Sequence, residues 1–505
     1  MSTAADAGLV SMTSGRFGPH PAYVPYVAAH ETHTGMVVLV GDRAFKAKKP
    51  VLTDFLDFRT VEQRERVCLR EVELNSRLSP ESYFGVAHLT DPGGGPAEPI
   101  VVMRRYRDED RLASRVSRGP DESLRVSLDA VAAVLARFHR RAERSPVIDA
   151  QGEAAAIDRR WRDNLVELNR DADMLPAGSV ARIGGLVTEF IAGREPLFKR
   201  RIEHGFIVDG HGDLLADDIF CGQGEPALLD CLEFDDELRY VDCVDDAAFL
   251  AMDLEFMGRK DLGDYFLERY AVHSGQATPP ALAHFYIAYR AVVRAKVDCV
   301  RVSQGKPEAA QDAARHLAVA AEHLEIGRVR LALVGGNPGT GKSTVARELA
   351  EGTGAQVIST DDVRRELRDS GAITGEAGAL DSGLYSPDNV AVVYEVVLRR
   401  AGLLLGNGQS VILDGTWRDP QMRAQARRLA AETHSATVEL ICSATPDTAT
   451  GRIITRPPGN SEVTPEIAAA LAAQQAGWDT AHRVDTSGSL EDSARQALDA
   501  WRRTS

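Results

Sequence analysis

Between Gly335 and Thr344 the chain reads GGNPGTGKST, and no other stretch limits its fold so sharply. Residues 336–343 satisfy the pattern G-x-x-x-x-G-K-[ST], with the apolar run 331–334 (LALV) leading in and the helix-forming run 343–351 (STVARELAE) leading out. A strand that breaks into a glycine turn and resumes as a helix presents backbone N–H groups and a helix N-terminus to an anion. The residue types follow from that task. Gly336, Gly339 and Gly341 let the backbone wrap a phosphate, with Asn337, Pro338 and Thr340 completing the loop. Lys342 reaches the terminal phosphate oxygens, and Ser343, followed by Thr344 at the helix start, offers a hydroxyl to magnesium. A plain glycine turn would leave Lys342 unexplained. ATP and Mg2+ are therefore the expected cofactors.

The loop belongs to a series. From 329 onward five short apolar runs, VRLALVGG, AQVIST, QSVILDG, ATVELICSA and HRVDTSG, alternate with helical stretches. Strands and helices in alternation predict an α/β domain over 326–505, with a parallel sheet covered by helices on both faces. Residues 1–325 have another texture. MVVLV (36–40) and AFKAK (44–48) flank Gly41-Asp42 as a hairpin would, 60–78 has helical spacing, and PIVVMRRY (99–106) reads as a further strand. From 123 the pattern is helical, with Leu128, Val131, Leu135 and Phe138 on one stripe, and it stays so to about 325 apart from a β-like interruption near 205–233. An α+β domain with a small β-rich lobe and a larger helical lobe is expected over 1–325. A chain of 505 residues exceeds what one core holds, so two domains are needed.

Composition narrows the setting. With 44% hydrophobic and 26% charged residues the chain is neither disordered nor fibrous. Six cysteines without a C-x-x-C pair argue against a zinc site and a disulfide scaffold. No apolar run approaches the roughly 20 residues that span a bilayer, and residues 1–18 lack the charged and apolar regions of a signal peptide, so a cytoplasmic protein without a membrane partner is expected. A net charge of −15 disfavours a general nucleic-acid partner.

Three further segments bear on the C-terminal site. ISTDDVRREL (358–367) sets Asp361, Asp362 and Arg364 at the end of the second strand, the edge where open parallel sheets bind ligands. SVILDG (410–415) ends in Asp414, an apolar run closed by an acid, which suits a magnesium contact or a strand-end turn. Arg452 and Arg456 precede a Pro/Gly-rich stretch and fit either a lid over the triphosphate or a solvated surface. Together with the loop, these segments resemble the P-loop kinases of the gluconate-kinase, polynucleotide-kinase and zeta-toxin type. The resemblance implies that Asp361 orients and deprotonates an acceptor hydroxyl and that Arg364 touches the acceptor or a phosphate. Helix capping by Asp361 or Asp362 is the alternative.

Upstream, residues 211–220 read HGDLLADDIF and 227–236 read ALLDCLEFDD. These resemble the aminoglycoside phosphotransferase and choline-kinase branch of the protein-kinase-like fold. The resemblance implies Asp213 as catalytic base and Asp230 as metal ligand, with Lys46 or Lys48 as the phosphate-binding lysine and Glu71 as its partner. Lys46 and Lys48 share a strand face, so spacing does not choose between them; Lys46 is favoured. Asp218 stands where the family carries a magnesium-binding Asn. A carboxylate remains a competent ligand, but its charge bears on activity. With the run at 231–255 (CLEFDDELRYVDCVDDAAFLAMDLE), the whole chain resembles the bifunctional aminoglycoside phosphotransferase/ATP-binding proteins, also described as AAA-family ATPases. The expected function is ATP-dependent phosphoryl transfer to a hydroxyl-bearing small molecule or a nucleic-acid 5′ end. Two rivals are a pseudokinase sensor gating the P-loop domain and an antibiotic phosphotransferase acting through the N-terminal domain, for which Asp235, Asp236 and Glu237 would supply an acidic pocket. Neither the acceptor nor the oligomeric state is legible.

Overall fold

Period-two alternation near the N-terminus and a 3.6-residue period after it produce different architectures on either side of Arg107. The structure is a computed structural model, and it describes residues 26–31, 35–51, 58–90, 93–119, 122–376, 382–455 and 477–503. The chain forms two compact units, Met1–Arg107 and Asp108–Ser505.

In the first unit, β1 (Val27–Glu31), β2 (Gly35–Val40), β3 (Arg43–Lys48), β4 (Tyr83–Leu89) and β5 (Glu98–Arg104) form an antiparallel sheet in the order β1-β2-β3-β5-β4. The hairpin between β2 and β3 turns at Gly41-Asp42 with Gly41 at φ 59°. The helix Val61–Ser76 starts in a capping box between Thr60 and Gln63. Arg64 on this helix grips Glu98 of β5 with two hydrogen bonds of 2.5 and 2.6 Å.

The second unit opens with helices. Glu122–Arg141, Ala154–Arg170, Ser179–Gly193, Cys243–Phe256, Lys260–Ser274, Pro280–Ser303 and Ala309–Ile326 carry its first core. Phe190 and Phe285 stack at 4.3 Å and Trp161 leans on Phe285 at 5.3 Å. Two small ladders interrupt the helices: β6 (Ile207–Asp209) pairs with β9 (Tyr240–Asp242), and β7 (Ile219–Phe220) with β8 (Ala227–Leu228). Among the described residues, no helix is long and apolar enough to cross a membrane.

The unit continues as a parallel sheet of β10 (Arg330–Gly335), β11 (Gln356–Ser359), β12 (Val411–Asp414), β13 (Ala436–Ser443) and β14 (His482–Asp485), in the order β11-β12-β10-β13-β14. Every residue of the central strand β10 is buried, as a strand covered on both faces requires. Val334, Val345, Leu349, Ile412, Val438, Leu440 and Trp501 share a core. Because the chain leaves β10 toward β11 on one side and returns to β13 on the other, a crevice opens at the carboxyl end of β10, where such sheets take ligands.

The compact units divide at Arg107, so residues 325–326 lie inside the second unit. The helix Ala309–Ile326 ends at Gly327, and β10 begins three residues later. Arg194 ties the helical part to the parallel sheet. Only 1% exposed, it donates to Leu405 O at 2.7 Å, Thr433 O at 3.0 Å, His434 O at 3.3 Å and Gly193 O at 2.7 Å. Leu405 lies in the last turn of the helix Pro387–Gly406 and Thr433 caps the helix Pro420–Glu432, so one guanidinium serves two helix C-termini. Burial lowers its pKa to about 10, which leaves it charged at neutral pH. Each buried carbonyl left without a donor costs about 1–3 kcal/mol, so Arg194→Ala is expected to lower the unfolding free energy by about 3 kcal/mol or more. Chemical denaturation measures this, and a loss below about 1 kcal/mol contradicts the bridging role.

Candidate active site

The glycine loop emerges at the carboxyl end of β10. Gly336 has φ 132°, and a Cβ there would lie 2.5 Å from Cys442 O; at Gly339, with φ 80°, it would collide with Ala449 O. Neither position admits a side chain. Gly341, at φ 81°, caps the helix Lys342–Thr353. Within the loop, Asn337 O accepts from Lys342 Nζ at 3.1 Å and from Thr340 Oγ1 at 2.7 Å. Thr486, just past β14, binds the loop from the far side, with its Oγ1 2.8 Å from Thr340 O and 3.0 Å from Ser443 O. Arg452 donates to Thr486 O at 2.7 Å, and a Cβ on Gly341 would lie 3.6 Å from its Nη1. Arg452 therefore stands against the loop. Arg456 lies outside the described residues.

Asp414 closes β12, in register with Val334 of β10 and Ser359 of β11. Burial raises its carboxyl pKa, Lys342 and a hydrogen bond with Ser343 oppose that, and Asp361 and Asp362 add to it. Lys342 and Ser343 open the helix after β10 and Asp361 and Asp362 the helix after β11, so these four and Asp414 gather at one sheet edge. Asp361 and Asp362 occupy the first turn of the helix Thr360–Asp369, whose cap is Ser359: its Oγ accepts from Asp361 N at 3.2 Å and Asp362 N at 3.4 Å. Capping consumes neither aspartate side chain. Asp361 pairs with Arg364 at 2.5 Å, Asp362 with Arg365 at 2.7 Å, and the Arg364 guanidinium lies 4.5 Å from the Tyr385 ring centroid.

Four supporting residues escaped the sequence reading: Thr486, Tyr385, Trp417 and Trp478. Trp417 is fully buried with φ 50°, uncommon for a bulky residue, and donates Nε1–H to Leu413 O at 3.0 Å. Trp478 packs so closely on Gly335 that a Cβ there would collide with its ring. A tryptophan two residues after the strand-end Asp-Gly was the available signal.

In the first unit both candidate lysines reach Glu71. Lys46 Nζ lies 2.9 Å from Oε1 and Lys48 Nζ 2.7 Å from Oε2, with Glu71 itself fully buried.

In the second unit the HGD loop is held from two sides. The buried carboxylate of Asp246 accepts from His211 N at 2.7 Å, Gly212 N at 2.9 Å and His139 Nε2 at 2.9 Å. Burial opposes its ionisation, but His139 and His211 outweigh that and hold it well below the usual range. Arg290 donates to Gly212 O at 3.0 Å and to Asp245 Oδ1 at 2.7 Å. His211 accepts from Asp213 N through Nδ1 at 3.3 Å and donates from Nε2 to Leu229 O at 3.0 Å, the bonding of a neutral imidazole. Burial pushes the Asp213 carboxyl up to about 6, with Asp230 and Asp253 adding to the shift and Arg294 and Arg290 resisting it. Asp230 has a left-handed backbone at φ 63°, rare outside glycine. Asp218 O accepts from Leu229 N at 3.0 Å, which sets Asp218 beside the segment carrying Asp230. In the acidic run, Asp236 pairs with Arg239 at 2.5 Å and Asp235 accepts from Glu237 N at 2.9 Å, closing a local turn.

Among the described residues, no group of three or more His, Cys, Asp or Glu side chains is placed to hold a metal by itself. Magnesium characteristically takes one or two carboxylates and completes its shell with phosphate oxygens and water.

Residues 331–479 match the family described as an AAA domain. Over 480 residues the chain is 68% identical to "Uncharacterized protein Rv2004c" of Mycobacterium tuberculosis, covering 95% of this chain and 96% of the relative. "Uncharacterized protein Mb2027c" of Mycobacterium bovis matches to the same extent. The chain belongs to the family of these mycobacterial proteins. Among solved structures, the GDP complex of wild-type aminoglycoside 2′-phosphotransferase-IIIa is similar at 15% identity and TM-score 0.39, over 60% of this chain and 94% of that one. A sugar kinase from Janibacter sp. is similar at 16% identity and TM-score 0.29, over 34% of this chain and 94% of that one.

Proposed function

We propose that the chain is an ATP-dependent phosphotransferase in which a P-loop domain, 326–505, transfers the γ-phosphoryl group of ATP to a hydroxyl of a small molecule or a nucleic-acid 5′ end, behind an aminoglycoside-phosphotransferase-like domain, 1–325. The observation that carries this reading is the gathering of Lys342, Ser343, Asp414 and Asp361 at one sheet edge, with Arg452 against Gly341. The donor set suits a magnesium–triphosphate: an ammonium for phosphate oxygens, and a hydroxyl with a buried carboxylate for a hard cation. Mg2+ bound by Ser343 and Asp414 would neutralise phosphate charge. Lys342 would exchange the Asn337 carbonyl for phosphate oxygens. Asp361, freed from Arg364, would take the acceptor hydroxyl proton as the new O–P bond forms, and ADP would leave with the electron pair of the broken bond. Arg452 would offset charge on the phosphates. The six free, buried cysteines support a reducing compartment.

A second reading concerns the HGD loop and is favoured by Asp213, whose carboxyl, pushed up to about 6 in a clamped loop, is poised as a base near neutral pH. In this reading Asp230 and Asp218 are the magnesium ligands. Within the first unit, Lys46 with Glu71 is the proposed phosphate contact.

The test is ADP release from Mg–ATP across a panel of polyols, sugars and 5′-hydroxyl oligonucleotides. Acceptor-stimulated release that disappears in Lys342→Ala supports the P-loop reading; stimulated release indifferent to Lys342 rejects it.

A further inference from the structure

Arg294 lies one turn beyond Arg290 on the helix Pro280–Ser303, so the two share a helix face. Arg290 fixes where that face points, because its Nη1 donates to Gly212 O at 3.0 Å in the HGD loop. The charges along this row differ in how they are matched. Arg290 is balanced by Asp245 at 2.7 Å. Asp298, one turn past Arg294, is engaged by His316 at 2.8 Å and Arg301 at 3.0 Å. Arg294 is half-buried and makes no hydrogen bond or ion pair among the described residues. The carboxylates that feel its charge are Asp213 and Asp253, and Asp253 Oδ2 already accepts from Ala216 N at 2.8 Å.

We propose that Arg294 receives the anionic group, a phosphate or carboxylate, of the hydroxylated molecule that binds beside Asp213, so that the acceptor class there is an anion and not a polycation. The inference rests on the second reading above. A half-buried guanidinium that makes no hydrogen bond keeps its donors open to a ligand, and its planar fork matches an oxyanion with two parallel hydrogen bonds. A polyamine would meet that same guanidinium with like charge. Of the acids that could attract one, Asp236 is paired with Arg239 and Asp235 closes its own turn. With the acceptor's anion on Arg294, its hydroxyl would lose a proton to Asp213 while its oxygen bonds the γ-phosphorus, and the bond to the leaving ADP oxygen breaks.

The experiment uses the full chain carrying Lys342→Ala, which silences the P-loop, with Mg–ATP. ADP release is followed with sn-glycerol 3-phosphate and D-glycerate against glycerol, choline and kanamycin, and sn-glycerol 3-phosphate binding is measured by calorimetry. The expected result is release at least tenfold faster with an anion than with glycerol. Arg294→Ala should then raise KM for the anion at least tenfold with little change in kcat, and Arg294→Lys should recover part of the loss. Arg294-dependent anion binding without ADP release keeps the assignment and removes the reading of Asp213 as a base. Release that needs Asp213 but prefers choline or kanamycin, or ignores Arg294, overturns the assignment and keeps that reading. Neither binding nor release with the anions overturns both.

Discussion

Lys342→Ala is expected to lower acceptor-stimulated ADP release by about a hundredfold to a thousandfold, the scale at which removing one positioned charge-stabilising donor acts. The loop geometry explains why so much rests on one side chain. Gly336 and Gly339 can carry no Cβ, so at those positions the loop offers only backbone. In the proposed function Ser343 and Asp414 would hold the cation and would not bind the phosphate oxygens directly. Lys342, at present on Asn337 O, is the side-chain cation within the loop. Asp361→Asn separates binding from chemistry. Its amide can still bond a hydroxyl but takes no proton, so turnover should fall by about a hundredfold to ten-thousandfold while Mg–ATP binding stays within a few-fold of normal. Retained turnover in Asp361→Asn would assign the base elsewhere.

Asp213→Asn is expected to make the protein more stable while removing phosphoryl transfer at the HGD loop. The folded-state pKa is raised from 3.8 to about 6. For an acid shifted upward, folding favours the protonated form; the contribution is fully present below pH 3.8 and is lost as pH rises through about 6. At about 1.4 kcal/mol per pKa unit, the ionised carboxylate costs the native state up to ~3 kcal/mol at pH 7.5. The neutral amide avoids that cost, so Asp213→Asn should gain up to about 3 kcal/mol at pH 7.5 and much less at pH 4. Urea denaturation at the two pH values measures the difference, and equal stabilities at both contradict the buried-carboxylate assignment. Where Asp213 serves as base, turnover dependent on it should rise through about pH 6.

What the sequence disclosed follows from locality. The glycine loop, the strand before it and the helix after it are contiguous, and all three stand where the pattern predicts. The five apolar runs of the C-terminal domain are five strands, because buried parallel strands need continuous apolar residues between turn signals. The hairpin at Gly41-Asp42 was legible for the same local reason. Long-range placement was not. Thr486 reaches Thr340 only because β14 lies two strands from β10 in the sheet order, and nothing in THR-SER-GLY spelling after a short strand reveals that order. Arg194 looks like an ordinary charge between two helices until Leu405 and Thr433, more than two hundred residues away, present their carbonyls to it. Those contacts also explain why the change of texture near 325 is not a division between compact units: it marks where a new sheet begins and not where contacts thin out. Period two placed Lys46 and Lys48 on one face and could go no further, and the structure gives both of them to Glu71.

The most direct measurement is a calorimetric titration of Mg–ATP into the intact chain and into Lys342→Ala. The proposed P-loop function predicts that the variant loses one binding equivalent, and the second reading that an equivalent remaining is weakened by Asp230→Ala. A Lys342→Ala protein that binds the same number of equivalents with unchanged affinity would contradict it.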